Sequence, residues 1–356
     1  MFLNLKNYTG SLTATWKKQT LHFKKPSGTS RGVLKDKDSY IISVFRKELL
    51  LSVGEVSLIK GLSEDDENKI EFILDRVCSH INELDVILEA DFLSSFPAVK
   101  FALEMIALEL QSQTRFQYFD NSFLTNGAGI AINGLIWMGS HAFMKEQIEC
   151  KIMEGYRCLK LKIGAIDFVK ELDLLESIRK NFAEDVLELR VDANGAFGSE
   201  IALNRLKTLS NLRLHSIEQP IKQGQIDKMA ELCSISPLPI ALDEELIGVH
   251  EFEDKKALLE KIMPQYIILK PSLLGGFKAC QEWIAIAKEL KIGWWITSAL
   301  ESNIGLNAIA QYTSWLNSDM YQGLGTGSLY LNNIDSPLEI RQAKLYYNNQ
   351  IKWAEI

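Results

Sequence analysis

The sequence contains little that could build a disulfide framework or a zinc site. Its 356 residues include five cysteines, which are scattered and form no C-x-x-C pair. An odd, dispersed set of cysteines argues against both kinds of structure. We therefore expect free, buried thiols in a reducing compartment.

The charge of the chain indicates neither a nucleic-acid nor a membrane partner. The formal net charge is −7, whereas nucleic acids and acidic membranes are bound by basic surfaces. The first 19 residues lack the basic start, apolar core and cleavage site of a signal peptide. No run of about 18 uncharged apolar residues occurs. We expect a cytoplasmic protein, and its oligomeric state stays open.

The chain changes in character near residue 130. Before it, the runs "YIISVFRK" and "ELLLSVGEVSLI" predict strands, and "SEDDENKIEFILDRVCSHINEL" and "FPAVKFALEMIALELQSQ" predict helices. After it, eight short apolar runs from "INGLIWMG" to "YQGLGTG" alternate with helix-like stretches. This alternation predicts an α/β structure, a β/α (TIM-type) barrel. An open doubly wound sheet is the alternative, but its G-x-G-x-x-G turn is missing after the first run.

Charged residues recur where the strand-like runs end. Asp192, Glu218, Asp243 and Lys270 follow one another at intervals of 25 to 27 residues, about one β/α unit. Active sites of β/α barrels lie at the C-terminal ends of the strands. Each acid alone is more often a turn former or a helix cap. The repeated position instead predicts that these side chains converge on one rim.

The segment "RCLKLKIG" precedes this series and places Lys160 and Lys162 on one face of a strand. Taken alone, the pair favours an exposed edge strand whose lysines deter aggregation. Beside three carboxylates, the pair favours catalysis. A neighbouring ammonium, a divalent cation and partial burial favour the neutral form of a lysine, so we expect Lys160 to make Lys162 a better base.

Three carboxylates repel one another unless a cation lies among them. An oxygen-only set without histidine or cysteine indicates a hard ion, Mg²⁺ first and Mn²⁺ as the alternative. Such a metal would act as a Lewis acid on a substrate carboxylate. Lys270 would supply a second cation or acid–base group. Together these parts favour removal of a proton next to the carboxylate of a small-molecule substrate.

The motifs K-x-K, D-A-N, E-Q-P, D-E and K-P-S at these spacings resemble the enolase superfamily, in its muconate lactonizing enzyme-like branch. The resemblance implies an α+β capping domain over residues 1–125, a catalytic barrel over 126–325 and a tail, 326–356, that returns to the capping domain. It implies the following roles: Asp192, Glu218 and Asp243 as metal ligands, Lys162 as base, Lys160 as its electrostatic helper, Lys270 as the opposing lysine, and Asn194 and Glu244 as supporting residues. Asn194 and Glu244 fit ordinary turn and cap positions equally well.

The segments "TSALESNIGLNAIAQ" and "GLGTGSLY" resemble the o-succinylbenzoate synthases of this branch, which dehydrate a succinyl-hydroxycyclohexadiene carboxylate in menaquinone synthesis. We expect Ser298 in the first segment to bind substrate. Arg31, in "PSGTSRG", could meet a substrate carboxylate or be a solvated loop residue. Two alternatives stay open: a dipeptide epimerase or N-acylamino acid racemase of the same branch, and a catalytically silent binding protein. The lack of an acid between Gly323 and Gly327 disfavours a dipeptide substrate.

Overall fold

The computed structural model of this protein describes residues 11–29, 32–164 and 166–356. The first described strands form an antiparallel sheet in the order β1-β2-β3, and three helices follow them. These elements are β1 (Thr13–Thr29), β2 (Gly32–Arg46), β3 (Leu49–Ser57), α1 (Ile70–Ser79), α2 (Leu84–Leu88) and α3 (Pro97–Ser112).

The helix α3 lies between this sheet and the rest of the molecule. Almost every one of its residues is buried, as expected of a helix that is apolar on all sides. Pro97 occupies its first turn, where a missing N–H costs nothing. By contrast, α1 buries only one stripe, formed by Ile70, Ile73, Leu74 and Val77. The helix α3 therefore joins the two parts of the fold.

The second part is a parallel sheet wrapped by helices. The short elements α4 (Ser122–Thr125) and β4 (Ile130–Ala131) lead into it. Its seven strands, adjacent in chain order, are β5 (Gly134–Ile136), β6 (Cys158–Lys162), β7 (Glu188–Asp192), β8 (Ser216–Glu218), β9 (Ile240–Leu242), β10 (Tyr266–Leu269) and β11 (Gly293–Ile296). Their helices are α5 (His141–Met153), α6 (Phe168–Asn181), α7 (Ser199–Ser210), α8 (Ile226–Ile235), α9 (Phe252–Ile262), α10 (Pro271–Leu274), α11 (Gly276–Glu289) and α12 (Asn303–Leu316).

The predicted α/β class with a β/α barrel and an N-terminal α+β part is confirmed, with one difference in the strand count. The eighth run, "YQGLGTG", forms no extended strand, and it is rich in glycine, which weakens strands. It still bonds to both sides of the sheet. Gly323 N–H donates to the Ile296 carbonyl at 2.8 Å, and Asn133 N–H donates to the Gln322 carbonyl at 3.0 Å. This segment thus connects β11 with the chain just before β5.

The C-terminal residues lie against both parts of the fold. The strands β12 (Leu338–Arg341) and β13 (Lys344–Tyr347) form a small antiparallel sheet with β4. Tyr330 packs on Phe23 of β1 with ring centroids 4.8 Å apart. One hydrophobic core also includes Ile41 and Phe101 together with the barrel strands. The boundaries at residues 125 and 325 stay predictions.

The five cysteines are all free, but the prediction that they are buried is wrong for Cys150. Cys158, Cys233 and Cys280 are buried, Cys78 is half-buried and Cys150 is exposed. Among the described residues, no helix is both long and apolar enough to cross a lipid bilayer.

Candidate active site

The register of the parallel sheet brings the predicted residues to one end of the strands. Lys162, Asp192 and Glu218 are direct partners across β6, β7 and β8. Asp243 follows β9 immediately, and Lys270 follows β10. The carboxyl ends of all five strands therefore present their charged side chains at the same rim.

The lysine pair does not lie on an edge strand, because β6 pairs with β5 on one side and β7 on the other. The side chains of Lys160 and Lys162 are only 9% and 13% exposed. Leu159 and Leu161, which alternate with them, belong to the hydrophobic core. The edge-strand interpretation is therefore wrong.

Ion pairs link all six charged residues into one cluster. The Lys160 Nζ lies 3.2 Å from Asp192 Oδ2 and also pairs with Glu218. The Lys162 Nζ lies 2.9 Å from the same Asp192 oxygen. Lys270 pairs with Asp243, and its Nζ lies 3.9 Å from Glu218 Oε1. The three carboxylates are almost fully buried, so each depends on these ammonium groups for compensation.

The pKa shifts follow from burial and from these neighbours. Burial opposes ionisation of Asp192, but Lys160 and Lys162 outweigh it and hold its pKa well below the ordinary value. Lys270 likewise lowers the pKa of Asp243 against the effect of burial. For Glu218, burial and then the negative charge of Asp192 raise the pKa well above its usual range. The three carboxylates therefore lie close enough for the charge of Asp192 to disfavour ionisation of Glu218.

The donor set fits a hard cation. Among the described residues, no three His, Cys, Asp or Glu side chains are already arranged as a metal-binding group. The buried carboxylate of Glu218 forms ion pairs with Lys160 and Lys270, while burial and the negative charges of Asp192 and Asp243 raise its pKa. Burying such a group is costly unless a charge compensates it. A divalent cation among the three carboxylates would add positive charge at the point where their negative charges crowd together.

Asn194 and Glu244 extend the cluster beside Lys162. The Lys162 Nζ donates to Asn194 Oδ1 at 2.7 Å, and Asn194 Nδ2 donates to Glu244 Oε1 at 3.0 Å. The backbone N–H of Asn194 donates to Asp192 Oδ1 at 3.0 Å. Asn194 thus restrains both the lysine and the neighbouring carboxylate.

Glu301 is a buried acid at the site that the sequence reasoning missed. Glu301 follows the seventh apolar run. Its position after a strand-like run is the same signal that predicts Asp192 and Glu218 as site residues. Its carboxylate accepts hydrogen bonds from the Ser298 hydroxyl at 2.6 Å, from the Ala299 N–H at 2.8 Å and from Ser272. Ser298, predicted to bind substrate, lines the cavity while its hydroxyl contacts Glu301.

A cavity of about 900 Å³ covers the cluster. This volume lies in the range of small-molecule sites. Its floor includes Lys160, Lys162, Asp192 and Lys270. The N-terminal part of the chain closes it with residues of β1, β2 and the segment after β3: Lys24, Lys25, Gly32, Val33, Leu34, Ile59, Lys60, Gly61 and Leu62. Arg31 lies outside the described residues.

The fold and this rim of lysines and acids define a class of barrel enzymes. Residues 144–347 match the family described as enolase C-terminal domain-like, and the chain belongs to the enolase superfamily. Among curated proteins, the o-succinylbenzoate synthase of Desulfotalea psychrophila (strain LSv54 / DSM 12343) is 49% identical over 356 residues, 92% of this chain and 96% of that relative.

Solved structures agree with this membership. The crystal structure of MenC from Desulfotalea psychrophila LSv54 matches with a TM-score of 0.83 and 46% identity, covering 95% of this chain and 100% of that one. A dipeptide epimerase from Enterococcus faecalis V583, complexed with Mg and the dipeptide L-Leu-L-Tyr, matches with a TM-score of 0.81 and 18% identity, covering 95% and 96%. The second likeness shows the shared fold.

Proposed function

We infer that this protein acts as an o-succinylbenzoate synthase, a hydro-lyase of menaquinone biosynthesis. The observation that carries this conclusion is the 49% identity to a synthase of that activity over 92% of this chain. The substrate is a small dicarboxylate, a succinyl-hydroxycyclohexadiene carboxylate. The acidic substrate suits a cavity whose floor carries three lysines.

In the proposed reaction, the neutral form of Lys162 removes the proton alpha to the ring carboxylate. The electron pair of the broken C–H bond then forms the new ring double bond as the C–OH bond breaks. The protonated Lys162 returns its proton to the departing hydroxide, so water leaves and the ring becomes aromatic. Lys270, which lines the same cavity, stabilises the negative charge that develops on the substrate. Lys160 contacts the same Asp192 oxygen as Lys162 and, with it, keeps that carboxylate charged.

Asp192, Glu218 and Asp243 would hold the Mg²⁺ ion, with Mn²⁺ as the alternative. When bound there, the ion supplies positive charge for the substrate carboxylate, an effect worth several kcal/mol of transition-state stabilisation in metalloenzymes. The support from this chain is the group of three buried carboxylates, in which burial and the charges of Asp192 and Asp243 raise the pKa of Glu218. Asn194 and Glu244 would orient Lys162 and the ligand Asp192.

An absorbance assay tests this function. Purified protein with Mg²⁺ should consume the diene signal of the substrate, and a chelator should stop the reaction until Mg²⁺ is restored. Lys162→Ala should lower kcat at least about 100-fold, since a positioned acid–base group contributes 10²–10⁴-fold. Lys228→Ala, which removes an exposed lysine of α8, is the matched control and should retain activity. A folded wild-type protein without turnover would contradict the assignment.

A racemase or epimerase is the second candidate, because Lys162 and Lys270 both line the cavity from strands four positions apart. Two lysines on different sides of a substrate can exchange a proton with either face. Solvent deuterium entering a chiral alpha carbon of an N-acylamino acid, at a rate above diene dehydration, would favour this candidate.

A further inference from the structure

A buried carboxylate of the N-terminal sheet binds the segment that follows β11. Glu55 of β3 is fully buried. It accepts hydrogen bonds from the Ser302 N–H at 2.8 Å, the Ser302 hydroxyl at 2.5 Å and the Gly305 N–H at 2.9 Å. These N–H groups lie at the start of α12, where the helix itself offers them no partner. Glu55 therefore caps a barrel helix from the other part of the fold.

A buried lysine supports this carboxylate from the same sheet. The Lys37 Nζ donates to Ser57 Oγ at 2.6 Å and to Ser39 Oγ at 3.1 Å, and Ser39 Oγ donates to Glu55 at 3.0 Å. Lys37 is buried, and a cation is rarely buried without a partner charge. Burial lowers the pKa of Lys37, and the negative charges of Glu55 and Glu301 partly offset this effect. The network thus spans the boundary between the sheet and the barrel.

The segment that Glu55 holds forms part of the substrate cavity. Ser298, Ala299 and Leu300 line the cavity, and Ser302 follows them by two residues. Glu301, between them, accepts a hydrogen bond from Ser272, which lies two residues after Lys270. A shift of Ser302 would therefore move a wall of the cavity and a neighbour of a site lysine.

We propose that Glu55 is a positioning residue that fixes the cavity wall Ser298–Leu300 through Ser302 and Gly305. Only the kinetic test of this inference rests on the proposed function. Substrate binding then depends on the N-terminal sheet as an anchor for this wall, in addition to the residues that the sheet contributes to the cavity.

Glu104 of α3 provides a matched control. It is also a buried glutamate, and it accepts hydrogen bonds from the N–H groups of Phe277 and Lys278 at the start of α11. That helix start contributes no residue to the cavity. Glu55→Ala and Glu104→Ala therefore each remove one cross-domain cap, but only the first cap supports a cavity wall.

The kinetic experiment measures kcat, KM and thermal midpoint for Glu55→Ala, Ser302→Ala and Glu104→Ala. We expect kcat/KM to fall at least tenfold in Glu55→Ala and at least threefold in Ser302→Ala, mainly through a higher KM. Glu104→Ala should stay within twofold of wild type although its thermal midpoint falls. Equal kinetic losses in Glu55→Ala and Glu104→Ala, or a folded Ser302→Ala with unchanged KM, would overturn the proposal. Ser302→Ala decides the case if Glu55→Ala does not fold.

Hydrogen–deuterium exchange tests the same proposal without activity. Peptides covering residues 298–306 should exchange faster in Glu55→Ala and Ser302→Ala than in wild type, and unchanged in Glu104→Ala. Uniform acceleration in all variants would overturn the positioning role. A wild-type protein without turnover would contradict the proposed function. The exchange data would still test whether Glu55 fixes the cavity wall.

Discussion

At the scale of single residues, Asn194 shows how one side chain organises the site. Its backbone φ is 43°, in the left-handed region, which asparagine tolerates better than most residues. That conformation directs its N–H to Asp192 while its side chain joins Lys162 to Glu244. The turn geometry and the contact with the proposed base therefore come from the same residue.

We predict that Asn194→Gly lowers kcat roughly tenfold or more while the thermal midpoint changes little. Glycine adopts a positive φ without strain, so the substitution removes the two side-chain hydrogen bonds alone. A hydrogen bond to a charged group contributes about 1.5–3 kcal/mol, and about 1.4 kcal/mol corresponds to a factor of ten. Steady-state kinetics with thermal melts check this. An unchanged kcat would mean that Asn194 serves only the turn.

At the scale of elements, α3 depends on a buried acid at its start. Phe96, at its N-cap position, makes no side-chain capping bond. Instead, Asp65 accepts hydrogen bonds from the N–H groups of Ala98 at 3.2 Å and Val99 at 3.4 Å. The helix also packs so closely on β3 that a Cβ on Gly54 would overlap the carbonyl oxygen of Ala102. The capping acid Asp65 is itself buried, with 3% of its surface exposed.

This burial makes Asp65 a source of pH-dependent stability. Burial raises the pKa of Asp65 from 3.8 to about 7, against the hydrogen bonds from Ala98 and Val99. The folded state then binds a proton that the unfolded state has released between pH 4 and 7. The free energy of unfolding therefore falls as pH rises through this window, by up to about 4 kcal/mol for a shift of this size.

We predict that Asp65→Asn reduces the loss of stability between pH 5 and pH 7.5. Asparagine keeps an oxygen that can accept the same hydrogen bonds but does not titrate. Burial also raises the pKa of Glu104 to about 7. The Asp65→Asn variant should therefore keep the part of the pH-dependent stability that comes from Glu104. Urea unfolding at both pH values provides the measurement, with Asp66→Asn, at the half-buried neighbouring position, as control. Equal pH dependence in Asp65→Asn and wild type would contradict the prediction.

At the scale of the whole molecule, cohesion comes from packing across the two parts of the fold and from buried polar contacts, without any disulfide. The hydrophobic core that fills the barrel continues into β2 and α3. Glu55 and Glu104 add hydrogen bonds across the same boundary. The cysteines contribute no cross-link, and the three buried ones, Cys158, Cys233 and Cys280, belong to the packed interior.

We predict that a thiol reagent labels Cys150 rapidly, Cys78 slowly, and all five cysteines only after unfolding. Cys150 is exposed, whereas burial raises the pKa of Cys78 to about 12 and so suppresses its reactive thiolate. Titration with an aromatic disulfide reagent, with and without denaturant, counts the thiols. A reducing agent should leave the thermal midpoint unchanged, and a fall of several degrees would reveal a disulfide.

Much of the architecture could be predicted because its signals are local. The alternation of short apolar runs with helical stretches predicted the barrel, and the charged residue after each run predicted its rim. The sequence pattern does not predict the strand β1, because polar and apolar residues alternate only in part along "TATWKKQTLHFKKPSGT". The prediction of an eighth strand is wrong. The run is hydrogen-bonded to its neighbours through single contacts, and its glycines lower its tendency to form an extended strand.

The sequence by itself determined which residues face the rim, because alternation along a strand and the length of a β/α unit are properties of a continuous stretch of chain. Only the tertiary structure decided which ammonium compensates which carboxylate, since that depends on the register and curvature of the sheet. It also decided that Glu55 caps a helix 247 residues away. Contacts over such a separation arise from packing of whole elements, which no local pattern encodes.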